Sequence, residues 1–511
     1  MLSNEALLTD LYQLTMAQGY EKTGLANREA CFYLHFRENP FKGGYAVACG
    51  FAQLAEFIED FHFTADDCAY LTTLKTAQGN PLFSADFINS LASLTLTIDV
   101  DAVAEGTVVF PYEPIARVKG PILQCQLVET ALLNLINFQT LIATKAARVC
   151  EVAKGPVAEF GLRRAQGPAG GLLASRAAIV GGCTSTSNVE AGRVFDLPVS
   201  GTHGHSWVMA HESELAAFRA FVEVFPDNST VLVDTYDVLK GVRNAITVAH
   251  EMETRAQRLA GIRIDSGDLA WLSIKARELL DEEGLDYVRI VASNDLDEYT
   301  IQSLHEQGAR IDSWGVGTRL ATAWEQPALS GVYKLCAMRS ADDAADDAAG
   351  DTVGGAADGD AADDATASRA AGGGRWMPQL KVTEQVAKAT LPGLLAVRRY
   401  FDEQNIFVGD MIFDERMTPK DGLIIDPFDD LRRKNLSSYS FVGLLEPFIQ
   451  RGRLVGTKMN ALQARQNTHA NLKRLHPTNK RLLNPHSYPV GLEHSLLVQR
   501  DTMLRQAHPL D

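Results

Sequence analysis

Between residues 197 and 318, short apolar runs repeatedly give way to polar clusters, with helix-length amphipathic stretches between them. The segments are 197–204 (LPVSGTHG), 230–236 (TVLVDTY), 261–268 (GIRIDSGD), 289–295 (RIVASND) and 310–318 (RIDSWGVGT). In each, the polar residues fall where a strand would turn into a loop. An α/β chain folding as a (β/α) barrel collects such loops at one rim, the C-terminal end of its strands. Chemistry in barrels sits at that rim, so these loops hold the candidate functional residues.

A chain of 511 residues exceeds one ordinary domain, so two folded units or an enlarged barrel is expected. Apolar residues make up 46%, enough for a packed core. The richest apolar stretch, 122–144, is interrupted by Gln124, Gln126, Glu129, Asn134, Asn137 and Gln139, so no membrane association is expected. The opening MLSNEALLTDLYQ has neither a basic n-region nor a small-residue cleavage site, and does not read as a signal peptide. Seven scattered cysteines without a CxxC pair argue for reduced thiols in a cytoplasmic protein, not a disulfide frame or a zinc site.

The net charge of −16 is unevenly spread. Residues 340–374 carry nine Asp and one Arg, a net of −8, in an Ala/Asp/Gly segment without aromatic side chains. Such a segment cannot offset its ordering entropy by burial and is expected to be a disordered surface insertion. The remainder is mildly acidic and offers no basic stripe for nucleic acid.

The pattern divides the chain into an N-terminal α+β domain (1–150), the barrel (151–338), the Ala/Asp-rich insert (339–375) and C-terminal strands and helices (376–511) that pack back on the first domain. A helix is expected after Thr9 or Asp10, a strand over 30–37, a helix over 50–63 and a small antiparallel unit over 96–121. A long helix is expected over 123–149, then β/α alternation to about Leu335. Strand pairs are expected over 379–388 and 393–412, and helices from Phe441 to Gln506.

The chemistry-bearing clusters begin with GTHGHSW (201–207). Two histidines in a Gly-bounded loop suit a metal, but no HExxH or cysteine partner accompanies them. A loop imidazole also suits nucleophilic attack on phosphorus when a carboxylate orients it, and Asp234 or Asp237 could serve. A satisfied structural histidine is the plain alternative. In RIDSGD (263–268), Arg263 and Asp265 project to one side of a strand, and Ser266 to Asp268 suit a helix cap. An arginine beside carboxylates fits a phosphate substrate with magnesium, although an internal ion pair would explain it too. Gly315 and Gly317 free backbone amides to face an anion, with Thr318 opening the next helix. Ser293, Asn294 and Asp295 supply further donors or cap a helix over 296–307. Arg163 and Arg164, before a Gly-containing loop, suit an anion or plain solvation. The dipeptide Gly-Lys is absent, so a P-loop is excluded.

Taken together, these motifs resemble nicotinate phosphoribosyltransferases. The likeness runs through LLTDLYQLTMAQGY (7–20), FRENPFKGGYAVACG (36–50), LRRAQGPAGG (162–171), STSNVEAGR (185–193), GTHGHSWV (201–208), DTYDVLKG (234–241), RIDSGDL (263–269), GVGT (315–318), QPALSGVYKL (326–335) and a KVTE…TLPG segment (381–393). It implies an irregular seven-stranded barrel of the type II phosphoribosyltransferases, with a second β-containing domain and a helical C-terminal region. It also implies a homodimer sharing its sites. The implied reaction joins nicotinate to phosphoribosyl pyrophosphate, with coupled ATP hydrolysis and Mg2+.

In such enzymes the histidine matching His205 accepts the ATP phosphoryl group as phosphohistidine, and the acid matching Asp234 orients it. Arg263, Asp265, Gly315 and Gly317 would bind phosphoribosyl pyrophosphate, with the metal on Asp265. Arg163 would contact substrate, and Tyr12 of the other subunit would stack on the pyridine. Phe36, Arg37, Thr202, Ser293, Asn294 and Thr318, within or beside the matched motifs, are expected among the substrate contacts. The related nicotinamide enzyme carries an acid near the position of Ser187; a neutral hydroxyl there suits a carboxylate substrate.

Rival readings are nicotinamide or quinolinate phosphoribosyl transfer, an aldolase-like barrel and a silent metabolite-binding barrel. Ser187 disfavours nicotinamide, and the His205 motif disfavours quinolinate. None of the five strand ends carries the lysine that a Schiff-base aldolase needs.

Overall fold

The computed structural model describes residues 6–340, 375–382 and 390–507. The expected insert at 339–375 lies almost wholly outside the described residues, as does the second half of KVTE.

The N-terminal helix Leu11–Lys22 starts where Asp10 N–H donates to Gln13 Oε1 at 2.9 Å, satisfying an amide that the helix itself leaves unpaired. The strand Glu29–Phe36 is the spine of a seven-stranded antiparallel sheet. The 96–121 unit contributes Asp99–Ala102 and Ala116–Pro121 to it. Its other strands arrive from far along the chain: Gly331–Arg339 and Trp376–Pro378 on one flank, Glu446–Gln450 and Arg453–Leu454 on the other.

The β/α alternation expected to reach Leu335 therefore ends earlier. Gly331–Arg339 pairs antiparallel with Glu29–Phe36, Phe36 lying opposite Gly331. The interior Lys334 is the physical reason: a barrel strand buried on both faces is near-continuously apolar, whereas an antiparallel strand tolerates one wetter face. The helical tail expected from Phe441 also begins later. Residues 440–443, 446–450 and 453–454 are strands, and the helices are Ala461–Arg474 and His494–Ala507. Gly443, Pro447 and Gly452 interrupt any helix there, and Gly452 holds φ +73° in the turn between two strands.

The parallel sheet of the barrel runs in the order 185–186, 157–159, 313–316, 289–292, 261–264, 230–232. All its neighbours pair in parallel. Among the described residues six strands stand where seven were implied, and the segment 197–204 forms no strand. Its Val199 makes a single parallel bridge to Thr186 at one end of the sheet, and Ser200 N–H donates to Thr186 O at 3.0 Å. At the other end, Leu232 N–H donates to the imidazole of His203. The gap between the two sheet edges is thus spanned by one short length of chain.

A third sheet, built on the hairpin Leu395–Phe401 and Phe407–Asp414, forms the C-terminal part. Buried ion pairs seat the barrel on the N-terminal part. Arg176 donates to both carboxylate oxygens of Glu105 at 2.8 and 2.7 Å. Glu298 takes Lys145 at 2.6 Å and Arg148 at 2.8 Å from the long helix Glu129–Ala153. Pairs of this kind fix one arrangement more than they add net stability.

Candidate active site

Each barrel strand hands its polar cluster to the same rim. Arg263, next to last in its strand, spreads its guanidinium over three loops. Its Nη2 donates to Asp265 Oδ1 at 3.1 Å and its Nε to Ser293 Oγ at 2.8 Å, while Nη1 lies 3.4 Å from Thr202 Oγ1. Ser293, itself buried, donates to the same Asp265 oxygen in a short bond. The other oxygen, Oδ2, faces His205 Nε2 at 3.9 Å, beyond hydrogen-bond reach. His205 opens the short helix His205–Met209, its side chain 42% exposed, with Nδ1 3.3 Å from Thr235 Oγ1. His205, Arg263, Asp265, Ser293 and Thr202 thus meet in one place, from loops more than 90 residues apart in sequence.

Asp234, expected to orient His205, does something else. Its Oδ2 accepts from Asp265 N–H at 3.0 Å and Ser266 Oγ–H at 2.6 Å, and its buried Oδ1 has no partner among the described residues. It shapes the Asp265 loop, while Thr235 and Asp265 flank the imidazole. The alternative, Asp237, caps the helix Val238–Glu253 through Lys240 N–H at 2.8 Å. Asp268 caps Leu269–Glu282 as expected. The cap expected of Ser293 to Asp295 belongs instead to Asp297, which precedes Glu298–Glu306. Asn294 and Asp295 sit at positive φ, 106° and 29°, in the sharp turn that follows the strand.

Gly315 owes its identity to a ring. A Cβ there would lie 2.6 Å from the Phe160 ring and 3.3 Å from Ser293 Cβ. Gly317 N-caps the four-residue helix Thr318–Ala321, and its own Cβ would crowd the Phe160 carbonyl oxygen at 3.1 Å. Phe160 is the rim residue that sequence reasoning missed. Its half-buried ring lies under the Arg263 guanidinium, 5.6 Å from Cζ to centroid. A lone aromatic just past AE carried no motif signal.

Glu159, also missed, is buried at the end of its strand. It accepts from Ser175 Oγ at 2.9 Å, Thr186 Oγ1 at 2.6 Å and, in a short contact, Gly161 N–H. Its own carbonyl accepts from Ser187 N–H at 2.9 Å. Ser187 is therefore held, half-buried, on a loop fastened to the one that carries Phe160. Arg163 stands exposed on the turn Leu162–Arg164 beyond it.

Tyr12, Phe36 and Arg37 keep N-terminal company in this chain. Tyr12 is 48% exposed on its helix. Partial burial and the neighbouring Glu129 push its hydroxyl pKa up to about 12. Phe36 is buried in the core, and Arg37 follows it with a buried Nε that has no partner among the described residues. Among the described residues no group of three or more His, Cys, Asp or Glu side chains is placed to hold a metal ion. A groove of about 920 Å³ lies elsewhere, lined by Asn39, Tyr112, Phe428, Arg432, Arg481 and Tyr488 among others. None of the converging rim side chains lines it, so convergence and not cavity size marks the site.

Comparison with known proteins finds one family along most of the chain. The nicotinate phosphoribosyltransferase N-terminal domain matches residues 7–137, the family model for the nicotinate phosphoribosyltransferases matches 156–360, and the C-terminal domain matches 396–499. A nicotinate phosphoribosyltransferase of Bacillus subtilis (strain 168) is 40% identical over 493 residues, covering 95% of this chain and 92% of the relative. The chain belongs to the nicotinate phosphoribosyltransferase family. A Homo sapiens member is 32% identical over 550 residues, covering 96% of this chain and 95% of its own. The crystal structure of human nicotinic acid phosphoribosyltransferase superposes with a TM-score of 0.79 at 28% identity, covering 97% of this chain and 99% of that one. A Pyrococcus furiosus nicotinate-nucleotide pyrophosphorylase shares the fold at a TM-score of 0.66 and 20% identity, covering 93% of this chain and 97% of that one.

The region of this chain that matches the central family model holds every converging rim residue. The N-terminal match holds Tyr12, Phe36 and Arg37. Among the described residues no helix is long and apolar enough to cross a membrane.

Proposed function

We propose that this chain is a nicotinate phosphoribosyltransferase. It transfers the phosphoribosyl group of phosphoribosyl pyrophosphate to nicotinate, giving nicotinate mononucleotide and pyrophosphate, and hydrolyses ATP through a phosphohistidine at His205. The observation that carries the reading is the meeting of Arg263, Asp265 and Ser293 in one hydrogen-bonded cluster at the rim, with the His205 imidazole 3.9 Å from the Asp265 carboxylate.

The chemistry asks for position and charge. Displacement at the anomeric carbon builds oxocarbenium character on the ribose and negative charge on the departing pyrophosphate. The Arg263 fork meets that charge, and the rim holds the base in line with the anomeric carbon. Phe160 offers the pyridine a face beside a guanidinium, which also suits the nicotinate carboxylate. Tyr12 of a second subunit would cover the opposite face, the role for which an exposed ring on a surface helix is suited.

For ATP, His205 with Nδ1 turned to Thr235 leaves Nε2 toward the rim. Nε2 forms a bond to the γ-phosphorus as the bond to the bridging oxygen of ADP breaks. Water later cleaves the Nε2–phosphorus bond and releases phosphate. Asp265 Oδ2 and the unpartnered Asp234 Oδ1 are hard oxygen donors beside Arg263, and they fit a magnesium ion that stays largely hydrated and is bound through substrate phosphates. When bound, the ion would neutralise pyrophosphate charge.

A product assay with nicotinate and nicotinamide, each with and without ATP, tests the reading. Nicotinate mononucleotide is the expected product, with ATP raising the rate. In His205→Ala the ATP stimulation and the acid-labile phosphate label are lost, and a slow transfer persists. A variant still hydrolysing ATP in step with product would overturn the role of His205.

A further inference from the structure

His205 has a neighbour two residues upstream that faces away from the rim. His203 is 8% exposed, its ring set edge-on to Phe221 with 4.7 Å between centroids. Leu232 N–H donates to His203 Nε2 at 3.2 Å, and His203 Nδ1 lies 3.3 Å from Gly204 O. Since Nε2 accepts, the neutral ring carries its proton on Nδ1, where the Gly204 carbonyl takes it. The Leu232 amide belongs to the last strand of the parallel sheet and is buried, so it needs an acceptor. The loop supplying that acceptor is bridged through Val199 to Thr186 at the sheet's other end.

We infer that His203 is a positioning residue: its imidazole replaces a backbone carbonyl in the ladder that closes the barrel, and thereby holds the loop that presents His205 to the rim. The inference rests on the proposed role of His205 as phosphoryl acceptor. Burial pushes the His203 pKa down, with Arg263 and His205 nearby acting the same way, and the Gly204 carbonyl opposes them. The ring thus stays in the neutral form that can accept from Leu232. Only Gly204 separates the two histidines, so loosening the first displaces the second relative to Thr235 and Asp265. Misplacing a reacting group by about 1 Å costs on the order of a hundredfold in rate.

Two variants separate the acceptor from the packing. His203→Phe keeps a ring against Phe221 but offers no acceptor; His203→Gln restores an acceptor at similar reach. Hydrogen exchange of a peptide covering 229–234 reads the ladder, and phosphohistidine formation from ATP reads the loop. In His203→Phe, exchange at Leu232 is expected to rise about tenfold or more, the factor of a lost hydrogen bond, with phosphorylation down about tenfold or more. His203→Gln should recover most of both. Unchanged exchange and phosphorylation in His203→Phe would overturn the inference. If His203→Phe does not fold, His203→Gln decides alone: slow exchange with phosphorylation retained upholds it, and fast exchange with wild-type phosphorylation overturns it. Wild-type protein lacking both ATP stimulation and phosphohistidine would sink the proposed function, while the exchange data would still decide what His203 holds.

Discussion

Ser187 and Glu113 show how one side chain sets a property of the whole protein. Ser187 is a neutral hydroxyl on a loop fastened by Glu159, beside the Phe160 rim. A carboxylate in its place would repel nicotinate and accept from the amide of nicotinamide. Ser187→Asp should therefore lower kcat/KM for nicotinate by about tenfold or more and shift preference toward nicotinamide, since an unpaired buried charge costs a few kcal/mol. Unchanged ratios for the two bases would refute this. Glu113 is buried beside Asp410, which accepts Arg399 at 2.6 Å and Tyr488 at 2.8 Å. Burial and then Asp410 push the Glu113 pKa well above the ordinary carboxylate range, against the pull of Arg399. A carboxyl raised in the folded state contributes stability while protonated, and that contribution is lost as pH rises through its folded pKa. Glu113→Gln, neutral at every pH, should match wild type in acid and gain on it as pH rises above the ordinary carboxylate range, as read by chemical denaturation at several pH values.

At the scale of elements, the loop after the Ser313–Val316 strand was legible as a site but for an incomplete reason. The glycines promised amides for an anion; the structure adds a ring stacked where a Cβ would go. Gly315→Ala should press on Phe160 and cost about 1–3 kcal/mol, with a raised KM for nicotinate. A kinetically silent, equally stable variant would show that the ring yields freely. Strand ends, caps at Asp268 and the N-terminal helix were readable because they rest on local periodicity and capping chemistry. Phe160, Glu159 and the bond from Leu232 N–H to His203 were not, since each gets its role from a partner between 16 and about 100 residues away. Asp234 was assigned to the wrong neighbour for the same reason: adjacency in a list of strand ends does not say which loop a carboxylate turns toward. The 440–454 strands were misread as helix because their partners lie near residues 100 and 400.

For the whole molecule, barrel and N-terminal part are joined by charges as well as by core. Arg176→Ala would leave Glu105 buried without its bidentate partner, a loss of about 3–5 kcal/mol, lowering the urea midpoint while the rim keeps its substrate preference. Replacing both Arg176 and Glu105 by apolar residues of similar volume should restore much of that loss. The central antiparallel sheet was only partly foreseeable, because strands 331–339 and 446–454 reach it after the barrel has been completed in sequence.

That late arrival bears on how the protein is made. A nascent chain emerging from the ribosome exposes Glu29–Phe36 long before Gly331–Arg339 can lie beside it, and Asp99–Ala102 before Glu446–Gln450. The barrel strands, all within 157–316, have no such wait. Synthesis therefore delivers the catalytic half ready to assemble while the first-made sheet stands open at both flanks, and a fragment ending near residue 150 would be a sheet with two unclaimed edges.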